Sequence, residues 1–120
     1  MKRILSLAVL VIFMACAEKE KSHTETAKIV VESFYKKDLP ILEKYTTEES
    51  FQAFLSIQDM FTASETETSN FKVVQEMEDG DTAWVKFTTA YEEQPETFKL
   101  IKEKGRWKVT ERGVREKLPF

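Results

Sequence analysis

Apolar residues recur at helical spacing in the segment that follows residue 22. From Ala27 to Tyr35 the apolar side chains fall three or four positions apart, which places them on one face of an amphipathic helix. Ser22 and Glu25 precede this stripe and stand three residues apart, which is the spacing of a capping box. The pattern therefore predicts a first helix that begins after Ser22 and buries one face.

Two shorter helical segments are predicted next. Asp38 can cap a helix and Pro40 suits a first turn, so a short helix is expected there. Thr46 or Thr47 can cap a third helix. The inner face of that helix is predicted to carry Phe51, Phe54, Leu55, Gln58 and Phe61. Residues 62–70 are rich in Ser, Thr and Glu and are predicted to form a loop.

The second half of the chain alternates apolar and polar residues with the period of two that indicates β-strands. Segments 71–77 and 81–91 form the first two predicted strands. Two further strands follow, after turn signals at Gln94-Pro95 and at Lys104-Gly105. Because these connections are short, the four strands are predicted to form an antiparallel meander.

The register of the first hairpin is predicted from its faces, since opposed residues in a hairpin lie on the same side of the sheet. A three-residue loop at residues 78–80 pairs Val73 with Val85, whereas a two-residue turn at residues 79–80 would mix the faces. The longer loop needs a left-handed residue at its end, which Gly80 supplies.

The same argument predicts the other two connections. A two-residue turn in the last hairpin pairs Leu100 with Val109, and the connection through the proline is expected to bring Tyr91 over Phe98. One face of the sheet then carries Phe71, Val73, Met77, Val85, Phe87, Tyr91, Phe98, Leu100, Trp107 and Val109. The helices are the apolar material available to cover it, so the predicted fold class is α+β, with N-terminal helices packed on a four-stranded antiparallel sheet.

The opposite face of the sheet carries three apolar exceptions, Val74, Trp84 and Ile101. They fall on three successive strands and could form one exposed patch. Two interpretations follow. The C-terminal tail, which ends at Phe120, could fold back over the patch. Alternatively, two copies of the chain could meet there as a homodimer, with Trp84 as the anchor of the interface.

The start of the chain is typical of a bacterial export signal. Lys2 and Arg3 precede 12 apolar or small residues and then Cys16, the one cysteine in the sequence. The run resembles a lipobox, although Phe13 and Met14 depart from its usual residues. Residues 1–15 are predicted to be a lipoprotein signal peptide. Ordinary cleavage after Ala17 is the alternative, because Ala15-Cys16-Ala17 also fits a secretory cleavage site.

Cleavage before a lipidated Cys16 would leave a protein held at a membrane outside the cytoplasm by its lipid. Residues 16–22 are then a charged, mobile tether, and residues 23–120 form a single domain. With Cys16 acylated, no thiol remains for a disulfide or a thiolate metal site. Without Lys2 and Arg3, the net charge of −3 becomes −5, which argues against nucleic acid as a partner.

The order of elements resembles the cystatin-like cone of nuclear transport factor two-like domains, and of uncharacterised small bacterial lipoproteins that carry such a domain. The segments that carry the resemblance are Thr26-Ala27-Lys28, Phe34-Tyr35-Lys36-Lys37-Asp38-Leu39, Tyr45-Thr46-Thr47-Glu48-Glu49 and Gly105-Arg106-Trp107-Lys108-Val109. The resemblance implies a curved sheet whose helices can enclose a pocket. Relatives use this fold in enzymes, in ligand binding and in dimerisation, so the fold does not choose among these functions.

Candidate chemistry is sparse. His23 is expected to be exposed beside the tether. No catalytic residues, metal ligands or cofactor are predicted. Gln58 and Gln75 fall on inward stripes, where they either make hydrogen bonds inside the core or line a pocket with Tyr45 and Tyr91. The favoured function is a membrane-anchored module that binds a small apolar ligand or a partner protein. The alternatives are an assembly module that dimerises through the outer sheet face and, less favoured, a small pocket enzyme.

Overall fold

A computed structural model of the chain describes residues 21–61, 67–113 and 115–120. The predicted signal peptide and Cys16 lie outside the described residues. The described helices are α1 (His23–Tyr35), α2 (Leu39–Lys44), α3 (Glu48–Ile57) and a 3₁₀ turn (Gln58–Met60). The described strands are β1 (Lys72–Asp79), β2 (Thr82–Thr89), β3 (Glu92–Glu103) and β4 (Arg106–Thr110). The strands form one antiparallel sheet in the order β1-β2-β3-β4.

Two of the predicted helix caps are confirmed. The Ser22 hydroxyl accepts a hydrogen bond from the Glu25 N–H, and the Glu25 carboxylate accepts one from the Ser22 N–H, both at 3.1 Å. Thr47 caps α3 by accepting from the Ser50 N–H. Asp38 occupies the N-cap position of α2, as predicted, but its side chain makes no capping hydrogen bond. Among the described residues, no helix is long and apolar enough to cross a membrane.

The core lies between the helices and one face of the sheet, which confirms the predicted α+β class. Helix α1 packs against β2 and β4, and α3 packs against β4. The Phe87 ring stacks on Phe71 and meets Phe98 edge-on, with ring centroids 5.0 and 4.9 Å apart. The buried apolar core cluster is drawn from residues between Ala27 and Val109. The segment 22–120 therefore contains this core together with the cap of α1.

The predicted loop of the first hairpin is wrong. Asp79 pairs with Thr82 around a two-residue turn at residues 80–81, and Val73 pairs with Phe87 rather than Val85. A bulge between Val73 and Gln75 inserts one residue into β1. One extra residue in a strand turns every following side chain to the other face of the sheet. The bulge therefore allows Val73 to face the core although the turn has only two residues.

The consequences of the bulge are visible along β1. Met77 pairs with Trp84 on the outer face and is exposed, so its predicted place in the core is wrong. Gly80 has the predicted left-handed backbone, with φ of 63°. It occupies the first position of the two-residue turn, where glycine is favoured.

Of the other two strand connections, the β3–β4 turn was predicted correctly and the β2–β3 connection was not. Leu100 pairs with Val109 around the two-residue Lys104-Gly105 turn, as predicted. Both turn residues have positive φ, as a type I′ turn requires. The predicted connection at Gln94-Pro95 is wrong, because these residues lie inside β3 and the strands turn at residues 90–91. An irregularity in the β2–β3 pairing accommodates the proline, which has no N–H to give to a neighbouring strand.

Candidate ligand-binding site

The difference in length between the last two strands leaves one side of β3 open. Strand β4 ends at Thr110, opposite Lys99, whereas β3 extends back to Glu92. Glu103 and Arg106 flank the two-residue turn and form the first hydrogen-bonded pair of this hairpin. Every second residue of β3 from Glu103 back to Lys99 therefore points its N–H and C=O groups toward β4. By the same alternation, the main-chain groups of Thr97 point to this edge, beyond the end of β4.

A cleft of about 370 Å³ lies at this open edge, and we call it the side cleft. Its volume falls within the range of small-molecule sites. It is formed by α3, β3, the end of β4 and the C-terminal segment. Its lining consists of Ser50, Ala53, Phe54, Pro95, Thr97, Phe98, Lys99, Val109, Thr110, Glu111, Arg112 and Leu118.

The wall of the side cleft nearest the core combines aromatic rings with a buried hydroxyl. Phe54 on α3 faces Phe98 on β3, with ring centroids 6.2 Å apart. Ser50, one turn before Phe54, is only 3% exposed. Its hydroxyl oxygen is buried and has no hydrogen-bond partner among the described residues. The surface that this wall offers to a ligand is therefore mainly aromatic, with the serine oxygen closed off behind it.

The opposite part of the side cleft is charged. Lys99 Nζ lies 2.8 Å from Glu116 Oε2 and 5.6 Å from the centre of the Trp84 ring. The Gly113 N–H donates to Glu116 Oε1 at 3.0 Å. The hydrogen bond from Lys99, followed by the one from Gly113, lowers the pKa of Glu116. Arg112 adds a second cation to the lining. The side cleft therefore has an aromatic wall and a basic end that holds a carboxylate of the chain itself.

A second cavity, of about 60 Å³, lies between the helices and the sheet, and we call it the inner cavity. It shares Phe54 and Phe98 with the side cleft, so these two rings border both spaces. Its remaining lining is Val30, Val31, Phe34, Tyr35, Ile57, Phe61 and Glu96. Ligand sites usually measure 300–1,000 Å³, so the inner cavity is too small for one, and the interior of the cone is mainly a filled core.

Carboxylates surround the tyrosines next to the inner cavity. Tyr35 stacks on Tyr91, with ring centroids 4.1 Å apart. Burial raises the pKa of Tyr35, and Glu92 and Glu96 raise it further. Partial burial raises the pKa of Glu96 itself, with repulsion from Glu92 as the second cause. This end of the cone therefore carries a negative potential, in contrast to the basic end of the side cleft.

The four residues predicted to line a pocket are not brought together. Tyr45 is buried between α2 and β4, with the Arg106 guanidinium 5.9 Å from the centre of its ring. The Gln58 amide donates to the Phe34 carbonyl at 2.7 Å, which is the core hydrogen bond expected as one of its two interpretations. Neither residue belongs to the described lining of the side cleft or the inner cavity.

Gln75 and Tyr91 also lie outside both linings. The prediction for Gln75 is wrong, because the bulge in β1 turns this residue to the outer face, where it is exposed. Tyr91 is partly buried in the turn between β2 and β3, against Tyr35 rather than over Phe98 as expected. The Tyr91 hydroxyl is buried and has no hydrogen-bond partner among the described residues.

Val74, Trp84 and Ile101 do not form the exposed outer patch that was predicted, because its central residue, Trp84, is buried. Val74 sits at the bulge and is 53% exposed, but Trp84 is only 7% exposed and Ile101 is partly buried. Lys99 lies over the Trp84 ring and is bound in turn by Glu116 of the C-terminal segment. These contacts favour the interpretation in which the tail folds back over this face.

His23 is not the exposed linker residue that was expected. It is the first residue of α1, and its side chain is 12% exposed. Its Nε2 atom bonds to the Glu76 carboxylate, and its Nδ1 atom lies 3.5 Å from Glu78 Oε1. Its ring meets Trp107 edge-on. Through these contacts, His23 connects the start of α1 to the sheet. No group of three or more His, Cys, Asp or Glu residues is arranged to hold a metal ion in the part of the chain that the structure describes.

Sequence reasoning did not single out the side cleft. The sequence pattern places Phe54 and Phe98 on the covered faces of their elements and does not mark Lys99 as a site residue. Pro95 was the one available signal, because proline within a strand is typical of an edge that lacks a partner. It was interpreted as part of a connection instead. The cleft depends on where β4 ends, which local patterns did not indicate.

No protein-family model matches the chain, and no curated protein matches it. Solved structures are similar in fold. A Campylobacter jejuni protein named as an NTF2-like (nuclear transport factor two-like) transpeptidase has 12% identity and a TM-score of 0.55, over 77% of this chain and 100% of the other. The fold of this protein is NTF2-like. A SEC-C motif protein from Rhodopseudomonas palustris has 17% identity and a TM-score of 0.52, over 76% of this chain and 79% of the other. Likeness at such identities concerns the fold alone, so the function must be argued from the cleft.

Proposed function

We propose that the mature protein is anchored to a membrane by a lipid on Cys16 and binds a small, mainly apolar ligand in the side cleft. The signal pattern before Cys16 supports the anchor. The observation that carries the binding proposal is a cleft of about 370 Å³ in which an aromatic wall meets the basic residues Lys99 and Arg112. A few polar groups placed among apolar walls are characteristic of small-molecule sites.

Binding is favoured over catalysis by the surroundings of the Ser50 hydroxyl. A nucleophilic serine needs a hydrogen-bonded base, which must itself be oriented by another group. The Ser50 hydroxyl has no such partner among the described residues. The charged groups of the described lining are Lys99, Glu111 and Arg112. Lys99 is already bound by a carboxylate, which suits a recognition role.

The proposal is tested by filling the cleft. Octanol is titrated into residues 22–120, and amide NMR shifts report where it binds. We expect shifts at Phe54, Thr97 and Phe98, and a loss of roughly tenfold or more in affinity in Ala53→Phe, because the new ring occupies the cleft. The matched control is Gln52→Phe, which adds the same ring at an exposed position of α3 and should leave binding unchanged.

Two outcomes would contradict the proposal. Octanol could bind Ala53→Phe as tightly as it binds the unaltered chain. Alternatively, its shift changes could fall away from α3 and β3. A dispersed NMR spectrum of each variant confirms that a lost signal does not come from unfolding.

A further inference from the structure

The C-terminal segment binds a lysine of the side cleft and adds an apolar side chain to the lining of the cleft. Glu116 binds Lys99 through both of its oxygens, at 2.9 and 2.8 Å. A turn in which the Glu116 N–H donates to the Gly113 carbonyl at 3.0 Å directs the carboxylate back to the sheet. Two residues later, Leu118 contributes to the lining of the cleft. The segment therefore presents a charged group and an apolar group to the site, joined by a short stretch of chain.

We infer that the ligand of the side cleft is an amphipathic carboxylate, an apolar body ending in a carboxyl group, which binds by taking the place of Glu116 on Lys99. This inference rests on the proposed function and names the class of ligand. Glu116 and Leu118 act in it as an internal substitute that occupies the contacts while the ligand is absent.

The cation that would receive the ligand is held in place. The Lys99 side chain is only 21% exposed, and its ammonium group lies over the Trp84 ring. An ammonium so placed is partly removed from water and cannot swing freely, which strengthens its pairing with a carboxylate. Lys99 pairs with Trp84 and Phe98 pairs with Val85, so the two side chains leave β3 on opposite faces of the sheet. Both residues line the side cleft, which therefore extends around the open edge of β3 from the aromatic wall to the lysine.

The balance of charge favours an anion once Glu116 is displaced. The described lining then contains the cations of Lys99 and Arg112 against one carboxylate, Glu111. A ligand carboxylate restores the charge pair that Glu116 had made, whereas an ammonium ligand would face two like charges. A neutral ligand would leave Lys99 without a partner, so it is expected to bind without moving Glu116.

The segment that carries Glu116 is accessible to a competing ligand. Residues 115 and 117–119 are exposed, and Glu116 keeps about a third of its side-chain surface. Exchanging one carboxylate for another on the same lysine therefore costs less than opening a buried contact.

The test compares octanoate, octanol and octylamine on residues 22–120, with amide NMR shifts as the readout. Octanoate is expected to bind more tightly than octanol, and octylamine least tightly. Glu116→Gln should raise the affinity for octanoate several-fold, because the competing carboxylate is gone. Lys99→Met should lower it about tenfold or more. Glu116→Gln should leave octanol binding unchanged, because a neutral ligand does not displace Glu116.

The neighbouring ion pair of Lys108 with Glu103 supplies the controls. Lys108→Met and Glu103→Gln remove equivalent charges outside the side cleft and should leave octanoate binding unchanged. Octanoate that binds no better than octanol, or that ignores both Lys99→Met and Glu116→Gln, would overturn the inference while the proposed function stands. Failure of all three probes to bind would overturn the proposed function, and the inference with it.

Discussion

The turn between β1 and β2 offers a measurement of backbone strain alone. Gly80 has φ of 63°, in the left-handed region that side chains with a Cβ disfavour by about 1–2 kcal/mol. An ideal Cβ at this position would meet no atom within 4 Å. Gly80→Ala therefore adds strain without a clash, offset in part by the reduced freedom of the unfolded chain. The expected loss in the free energy of unfolding is about 1 kcal/mol.

For a domain near this size, that loss corresponds to a fall in Tm of about 4–8 °C. Urea unfolding is followed by far-UV circular dichroism and by the fluorescence of Trp84 and Trp107, both of which are buried. The midpoint should fall while the slope stays unchanged, because the surface exposed on unfolding is the same. Gly80→Asn should cost less than Gly80→Ala, since asparagine tolerates the left-handed region better.

The chain offers a matched control in Gly113. Its φ is not in the left-handed region, and a Cβ added there would meet Glu116 atoms at 3.8 Å, an ordinary contact. Gly113→Ala is expected to be neutral or slightly stabilising. Equal stabilities of Gly80→Ala and Gly113→Ala would refute the reasoning, because they would mean that the turn does not hold residue 80 at positive φ.

Two further predictions concern the acidic end of the cone and the anchor. Partial burial raises the pKa of Glu96, so the folded state holds the proton of this carboxyl more firmly than the unfolded chain does. The free energy of unfolding therefore falls as the pH rises above the pKa that Glu96 has in the unfolded chain. Glu96→Gln should therefore raise Tm at neutral pH but not below about pH 4; an equal gain at both pH values would contradict this. In cells, a palmitate analogue should label the protein and leave Cys16→Ser unlabelled; a soluble, unlabelled wild-type protein would refute the anchor.

Several elements could be predicted because a few neighbouring residues determine them. The helix that starts after Ser22 follows from a capping box and an apolar stripe, both within one short segment. The last hairpin follows from Lys104-Gly105 and from the matching of Leu100 with Val109 across it. In each case, the residues that make the decisive contacts lie close together in the sequence.

The first hairpin shows where such reasoning fails. Alternation along β1 assumes a regular strand, and the bulge after Val73 breaks it. Whether a bulge forms depends on how β1 is paired with β2, so alternation within β1 alone did not indicate it. This one residue explains the misplacement of both Gln75 and Met77, because each side chain after the bulge faces the other way.

The amino-acid sequence by itself determined the α+β class, the order of the elements, the capped helices and the second hairpin, since local periodicity and turn chemistry encode these features. Only the tertiary structure decided that β4 stops opposite Lys99, that Glu116 returns to this lysine and that Trp84 is covered. The end of β4 and the return of the C-terminal segment form the side cleft. Each of these features depends on contacts between residues that are far apart in the chain. Packing and strand pairing across the whole domain determine such contacts, and no local sequence pattern does.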